Sequence, residues 1–204
     1  MLGQNNRGDT DRVFPTIFTP PSPTTKPTHL FPREGINPHT ARYVHHQDSL
    51  KALVFTDGAC LNNGKPTSQA GWAVVYGPGL IVHDHLENTG PFGHESIQTN
   101  NRAELRAVIE ALRILDWPGE CFNTLVIATD SEYVAFGATQ WVKTWIENGW
   151  QTASNADVKN RDLWDILLGE VERWRENGLS VQFWRIDRAW NKVANEAAKM
   201  AAEQ

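Results

Sequence analysis

The residue types in this chain that could do chemistry are three acids. Asp57 and Asp130 each follow a short apolar run, in Thr56-Asp57-Gly58 and Thr129-Asp130-Ser131, and Glu104 lies beside the apolar stripe of a predicted helix. Open α/β sheets gather ligands beyond the carboxyl ends of their strands, so adjacent strands would bring both aspartates to one rim. Carboxylate oxygens are the ligands that Mg²⁺ and Mn²⁺ prefer. The three acids together predict a divalent metal site.

Each aspartate also has a simpler interpretation. Asp-Gly is a common turn and Asp-Ser a common helix cap, so Asp57 or Asp130 alone would predict only local structure. Glu104, the third acid, favours a metal site over these local interpretations. Glu104 next to a buried stripe is costly to bury unless a cation compensates its charge.

The elements that must position these acids begin near residue 49. Apolar runs predict five strands, at residues 52–56, 71–76, 81–87, 124–129 and 179–185. Helical spacing and helix-stop residues predict helices at residues 101–115, 141–147, 160–176 and 191–202, with a short helix after Asp130. This order predicts an α/β fold: a mixed sheet of three antiparallel strands with two parallel additions, and helices on both faces.

Residues 1–48 differ in composition from the rest of the chain. Prolines interrupt every possible helix, and Thr, Ser and Asn fill the gaps. We expect either a disordered tail or an extended arm that packs Phe14, Ile17, Phe18 or Phe31 onto the domain. The predicted organisation is an N-terminal arm at residues 1–48 and one globular domain at residues 49–204.

The composition of the 204 residues excludes several classes of protein. No apolar run is long enough to span a membrane, and the first thirty residues lack a secretory signal. Cys60 and Cys121 are too few for a disulfide framework, which favours an intracellular compartment: the nucleus or cytoplasm, with an organelle as the alternative. The net charge of -5 argues only weakly against a nucleic-acid partner, because bound metal ions would supply positive charge at the phosphate.

The motifs resemble those of the ribonuclease H family, type 1. The matching segments are Thr56-Asp57-Gly58-Ala59-Cys60, the run from Thr99 to Glu104, and Thr129-Asp130-Ser131, within a resemblance over about residues 50–202. The resemblance implies a five-stranded mixed sheet with flanking helices. It also implies that Asp57, Glu104 and Asp130 bind two Mg²⁺ ions, or Mn²⁺ in their place, and that the enzyme cuts the RNA strand of RNA–DNA hybrids.

The resemblance also implies substrate-binding residues. Asn63, Asn100 and Asn101 match the amides that contact 2′-hydroxyls in the minor groove, a role that suits a group with both donor and acceptor. Asn160, together with Thr99, resembles a phosphate pocket. Trp141 and Trp145 resemble a helix that holds the DNA strand, although core packing is the alternative for either tryptophan.

The chain departs from the family pattern at the fourth acid. Where the family has Asp in the last helix, the segment from Asn191 to Asn195 ends in an amide. Asn195 can still ligate a metal through its carbonyl, but it carries one charge less. Asp187 and Glu196 are candidate substitutes. The loop before this helix, residues 186–190, also lacks the histidine often found there.

Three functions follow from these residues. The first is an active endonuclease on RNA–DNA hybrids, and the second is a catalytically weak hybrid-binding module of the same fold. The third, a DNA nuclease or integrase-like enzyme, is disfavoured because amides that read 2′-hydroxyls are useful only on RNA. We expect a monomer without the separate N-terminal hybrid-binding domain that the family often carries.

Overall fold

The computed structural model describes residues 12–35 and 40–204. Within these residues, eight strands form one sheet: β1 (Thr16–Ile17), β2 (Arg33–Glu34), β3 (Arg42–His45), β4 (Asp48–Leu61), β5 (Gln69–Gly77), β6 (Leu80–His85), β7 (Thr124–Thr129) and β8 (Ser180–Arg185). The α-helices are α1 (Pro27–Leu30), α2 (Asn100–Arg113), α3 (Glu132–Phe136), α4 (Val142–Glu147), α5 (Arg161–Glu176) and α6 (Lys192–Ala202). A π-helical turn, Gly137–Trp141, joins α3 to α4, and a 3₁₀ turn, Arg188–Trp190, precedes α6.

The long strand β4 is the centre of the sheet. On one side it pairs in parallel with β7, which pairs in parallel with β8. On the other side its second half pairs antiparallel with β5, and β5 with β6. These five strands are the predicted ones, so the predicted α/β class and mixed topology are confirmed.

The predicted strand number is wrong, because three short strands come from residues 16–45. β1 pairs in parallel with the free edge of β8, and β3 pairs with the first half of β4 and with β2. Proline breaks helices but is tolerated in extended segments at a sheet edge. The same composition that excluded long helices therefore allowed short edge strands.

The described part of the N-terminal arm packs onto the sheet, as in the second of its two predicted alternatives. Phe18 and Phe31 are buried, and their rings contact Trp184 of β8 at 4.9 and 6.3 Å between centroids. Residues 1–11 and 36–39 of the predicted arm lie outside the described residues. Because β3 and β4 pair across residue 48, the boundary between arm and domain stays a prediction.

The two faces of the sheet are covered differently. One face carries α2 and α5, and the predicted stripe of α2 is fully buried there: Leu105, Val108, Ile109 and Leu112. The other face carries α6, whose small residues pack on β4 and β5. Beyond α6, the arm residues Phe18, Leu30 and Phe31 cover the same face. The N-terminal arm therefore covers the part of this face that α6 leaves uncovered.

Candidate active site

The parallel register of β4 and β7 brings the two aspartates level. The last paired positions are Phe55 and Ala128, and Asp57 and Asp130 each lie two residues further along. Neighbouring strands lie about 4.8 Å apart, and residues in register point to the same face. The two carboxylates therefore lie side by side at the rim of the sheet.

The structure corrects the predicted end of the first of these strands. β4 does not end at Asp57 but continues to Leu61, pairing Asp57 with Ala73 and Gly58 with Trp72 of β5. β7 does end just before Asp130, as predicted. The turn interpretation of Asp57-Gly58 is thus wrong, since both residues lie inside a strand.

Gly58 has a different purpose: it lets α2 lie directly on β4. A Cβ atom at Gly58 would overlap the backbone of Ala103 and Glu104. Because a glycine has no side chain, the helix can approach closely enough to place Glu104 next to the aspartates. Glu104 is half-buried, and its carboxylate accepts a hydrogen bond from the Ser131 hydroxyl.

Ser131, not Asp130, is the cap of α3. Its hydroxyl oxygen accepts a hydrogen bond from the backbone N–H of Val134 at 3.3 Å. The same hydroxyl donates to Glu104, so it joins the start of α3 to the middle of α2.

Asn195 lies against Asp57, where the sequence predicts the fourth ligand. The Asn195 side chain is buried, and its amide Nδ2 donates to Asp57 Oδ2 at 2.8 Å. Neither predicted substitute has a comparable position: Glu196 is exposed, and the exposed Asp187 carboxylate accepts a hydrogen bond from the backbone of Ala189.

Two residues that sequence reasoning missed contact Asp130. Asn191 is buried, and its amide donates to Asp130 Oδ1 at 2.6 Å and to the Thr56 carbonyl at 3.0 Å. Its spacing of four residues from Asn195 could have revealed it, since i and i+4 share a helix face. Arg188 Nη1 lies 3.5 Å from Asp130 Oδ2, in the loop that lacks the histidine.

Two of the acids, Asp57 and Glu104, lie in an electrostatic environment that disfavours their charges. Burial, then the charge of Asp130, raises the pKa of Asp57 to about 6, against the opposing hydrogen bonds from Asn195 and Gly58. Burial raises the pKa of Glu104 to about 7, despite the Ser131 hydrogen bond, and the charges of Asp57 and Asp130 add to the rise. A bound divalent cation would reverse this cost.

The donor set fits a hard divalent cation. One buried carboxylate, two half-buried ones and an amide carbonyl offer only oxygen ligands, provided that the Asn195 amide turns its Oδ1 inward. As they stand, the His, Cys, Asp and Glu side chains of residues 12–35 and 40–204 form no group of three that could hold a metal ion. Each carboxylate is instead bound by a neighbour: Asp57 by Asn195, Glu104 by Ser131, and Asp130 by Asn191.

Five of the seven predicted substrate residues line one groove of about 720 Å³: Asn63, Thr99, Asn100, Asn101 and Asn160. Asn63 accepts a hydrogen bond from the backbone of Asn100, and Thr99 caps α2. These contacts hold the loop after β4 against the start of α2.

Asn160 is held in the groove by a second network. Its backbone is left-handed, with φ of 60°, and its side-chain amide donates to the Tyr133 hydroxyl at 3.1 Å. Arg102 Nη1 donates to the side-chain oxygen Oδ1 of Asn160 at 3.4 Å, and the Arg102 guanidinium forms a bidentate ion pair with Asp162. The candidate phosphate pocket is therefore built from α2, α3 and the start of α5.

The two predicted DNA-binding tryptophans lie outside the residues that line this groove. Trp141 is 39% exposed, whereas Trp145 is partly buried between the rings of Trp141 and Trp164. Trp141 thus offers a free face to a ligand, and Trp145 mainly packs against the core.

Comparisons with known proteins agree with the motifs. The family model of RNase H matches residues 50–203. Ribonuclease H of Treponema pallidum is 36% identical over 166 residues, covering 74% of this chain and 92% of that protein. Ribonuclease H of a Polaromonas species is 44% identical over 155 residues, covering 76% and 87%.

A solved structure shares both fold and sequence. The crystal structure of LC9-RNase H1, described as a type 1 RNase H with the type 2 active-site motif, is 33% identical with a TM-score of 0.54. The match covers 75% of this chain and 72% of that one. The resemblance that the three motifs predicted is confirmed: the chain belongs to the ribonuclease H family.

Proposed function

We propose that this chain is an endonuclease that hydrolyses the RNA strand of RNA–DNA hybrids with two Mg²⁺ ions, for which Mn²⁺ can substitute. The observation that carries the proposal is the convergence of Asp57, Glu104 and Asp130 at one rim of the sheet, near an amide-lined groove. Membership of the ribonuclease H family supports the same activity.

Each residue of the rim has a distinct task in this proposal. Asp57, Glu104 and Asp130 would hold the ions, with the Asn195 carbonyl as a fourth ligand. When bound, the ions would activate a water and stabilise the leaving 3′-oxygen. Ser131 and Asn191 orient the carboxylates of Glu104 and Asp130.

The groove supplies substrate recognition. The amides of Asn63, Asn100 and Asn101 can both donate to and accept from 2′-hydroxyls, which only the RNA strand carries. Thr99 and Asn160 would bind a backbone phosphate. Trp141, with its exposed ring, would contact the DNA strand, and Trp145 would support it.

A catalytically weak hybrid-binding module is the second candidate function, and Asn195 favours it. An amide in place of a carboxylate removes one negative charge from the site. In the structure its N–H group, not its carbonyl, faces Asp57. Both changes weaken the binding of a cation.

Restoring the acid at position 195 separates the two functions. A labelled RNA–DNA hybrid is incubated with Mg²⁺ or Mn²⁺ and with either the unsubstituted chain or the Asn195→Asp variant. We expect weak or absent cleavage by the chain as given and at least tenfold recovery (about 1.4 kcal/mol) in the variant. Equal rates would refute the limiting role of position 195, and cleavage by neither form would leave only the binding function.

Asp130→Asn is the matched control for the ligand assignment. It changes the same functional group in the opposite direction, from acid to amide. Made in the Asn195→Asp form, which we expect to cleave, it should abolish cleavage and leave the affinity for the hybrid nearly unchanged, because the groove is left intact. Full activity of this variant would contradict the assignment of Asp130 as a ligand.

The oligomeric state and the cellular compartment of the protein are also matters of proposal. No helix among residues 12–35 and 40–204 is long and apolar enough to cross a membrane. We propose a monomer that binds RNA–DNA hybrids and acts in the nucleus or cytoplasm, with an organelle as the alternative.

A further inference from the structure

A second groove, of about 670 Å³, lies between the N-terminal arm and the end of β8. Its volume is within the range of about 300–1,000 Å³ that is usual for ligand pockets. The arm contributes one wall, with the residues Ile17, Phe18, Thr19, Pro20, Pro23 and Thr24. These residues precede the segment 50–203 that the family model matches. One wall of this arm groove is therefore an addition to the family domain.

Four aromatic side chains line the arm groove. Phe18 and Trp184 are buried, with 4.9 Å between their ring centroids. Phe136 and Trp190 are half-buried, so part of each ring is open to a ligand. Aromatic rings bind other flat rings by offset stacking or edge-to-face contact. The arm groove therefore suits a ligand with a flat aromatic group.

Two charged side chains, Arg185 and Asp187, also line the arm groove, and both are exposed. The Asp187 carboxylate accepts a hydrogen bond from the backbone N–H of Ala189 at 2.7 Å. Arg185 Nη2 lies 3.2 Å from Glu132 Oε1, in an ion pair whose side chains are 47% and 63% exposed. Because an exposed ion pair is worth little, Arg185 can exchange Glu132 for an anionic ligand. Flat rings beside an available cation match the base and the phosphate of a nucleotide.

The arm groove and the active site share the 3₁₀ turn before α6. Trp190 of this turn lines the arm groove, whereas Arg188 Nη1 lies 3.5 Å from Asp130 Oδ2. Asn191, the next residue, donates to Asp130 Oδ1. Both sites lie beyond the carboxyl ends of parallel strands, where α/β sheets bind their ligands. A nucleic-acid strand held at the acids therefore has the arm groove beside it along the rim.

Only an unpaired base could enter the arm groove. A base within a duplex is stacked on its neighbours, so its faces are not available to the rings of a protein. An unpaired base has free faces, and its stacking on aromatic side chains tolerates any sequence. In the proposed function the strand at the acids is RNA. The ligand that fits the arm groove is therefore a base of that RNA strand beyond the end of the hybrid.

We infer that the arm groove binds an unpaired base of single-stranded RNA that continues from the hybrid, with Trp190 stacking on the base and Arg185 binding its phosphate. The inference rests on the proposed function, because it extends the path of the RNA strand held at Asp57, Glu104 and Asp130. It gives the N-terminal arm a role in substrate selection, since hybrids that continue into single-stranded RNA bind more tightly than blunt ones.

The test measures binding in a chelator, so that it does not depend on cleavage. Fluorescent hybrids share one duplex and are blunt or carry a short RNA overhang at the 5′ or the 3′ end of the RNA strand. A further set carries abasic overhangs, which have the same charge but no bases. Each hybrid is titrated with the full unsubstituted chain, Trp190→Ala, Trp190→Phe and Pro23→Asp.

The variants change the two walls of the arm groove separately. Trp190→Ala removes a ring, and Trp190→Phe retains one. Pro23→Asp adds a carboxylate to the exposed part of the arm wall, where it would repel a phosphate. Pro32→Asp is the matched control, because Pro32 is also an exposed proline of the arm but does not line the groove. Thermal unfolding checks that every variant folds.

We expect the unsubstituted chain to bind a hybrid with an RNA overhang at one of the two ends at least fivefold more tightly than the blunt hybrid. The abasic overhang should give less than a twofold gain. Trp190→Ala and Pro23→Asp should lose most of the gain and change the affinity for the blunt hybrid less than twofold. Trp190→Phe and Pro32→Asp should retain most of the gain.

Four results would overturn the inference. Binding of the blunt hybrid without a gain from either RNA overhang would refute it and leave the proposed function intact. An equal gain from the abasic overhang would show that charge alone is recognised. A gain that survives both Trp190→Ala and Pro23→Asp would place the overhang outside the arm groove. Failure of the unsubstituted chain to bind any hybrid would overturn the proposed function as well.

Discussion

At the scale of single residues, the site depends on two asparagines one helical turn apart. Asn195 donates to Asp57, and Asn191 donates to Asp130 and to the Thr56 carbonyl. The start of α6 thus contacts both β4 and the end of β7. Asn191 and Asn195 are the first and last residues of the segment in which the chain departs from the family pattern. Only the fold shows that they contact different acids.

Removal of the Asn191 amide should damage both stability and activity. Asn191→Ala removes the side-chain donor to the buried Thr56 carbonyl and to Asp130 Oδ1, so we expect a loss of about 1–3 kcal/mol in the free energy of unfolding. In the Asn195→Asp form, which we expect to cleave, the substitution should lower hybrid cleavage at least tenfold, because Asp130 is no longer oriented. Chemical denaturation and initial cleavage rates measure the two effects.

Asn177→Ala is the matched control for this prediction. Its side chain donates a similar hydrogen bond, to the Arg173 carbonyl at 2.7 Å, but it is exposed at the end of α5. A surface substitution of this kind should change stability by about 0.5 kcal/mol or less. Equal effects of the two substitutions would contradict a special role for Asn191.

At the scale of elements, the approach of α2 to β4 places Glu104 in the site, and Gly58 makes that approach possible. Gly58→Ala should force the helix away from the strand. We expect a loss of about 1–3 kcal/mol in the free energy of unfolding, as for other overpacked positions. In the Asn195→Asp form, cleavage should fall as Glu104 moves away from the aspartates.

Gly169→Ala separates this steric effect from the general effect of a glycine substitution. Gly169 lies within α5, and a Cβ atom there would meet nothing within 4 Å. Alanine is the better helix former by about 0.5–1 kcal/mol, so this variant should be slightly more stable. A Gly58→Ala variant as stable and active as the wild type would show that α2 does not need the close approach.

At the scale of the whole molecule, stability should depend on pH through the buried acids. The pKa values of Asp57 and Glu104 are raised in the fold to about 6 and 7, above the usual values near 4. The folded state therefore binds more protons than the unfolded state between about pH 4 and 7. The stability contributed by these groups is present below pH 4 and is lost as the pH rises through the raised pKa values.

Melting temperatures with and without divalent ions check this dependence. In a chelator, the melting temperature should fall from pH 5 to pH 8, and Glu104→Gln should flatten the decline. Mg²⁺ should stabilise the protein more at pH 8 than at pH 5, because only the ionised carboxylates bind it. A melting temperature that rises from pH 5 to pH 8 in the chelator would contradict the assignment of raised pKa values.

Sequence patterns predicted the five central strands, the apolar stripe of α2 and the three acids, and the resemblance to the family implied the amide set. Apolar periodicity and short motifs are local, so they can be read without knowing which segments meet. They did not predict the strands of residues 16–45, of which β1 pairs with β8 more than 160 residues away along the chain. Nor did they predict the extension of β4 through Asp57, which requires β5 as its partner.

The assembled fold was needed to show which neighbour binds each acid and what Gly58 is for. The register of β4 on β7 brings Asp57 level with Asp130, the close approach of α2 adds Glu104, and the turn before α6 adds Asn191 and Arg188. These are contacts between segments far apart in the chain. Their geometry follows from packing, because hydrogen bonds and pKa values depend on distances and burial that exist only once the sheet and its helices have assembled.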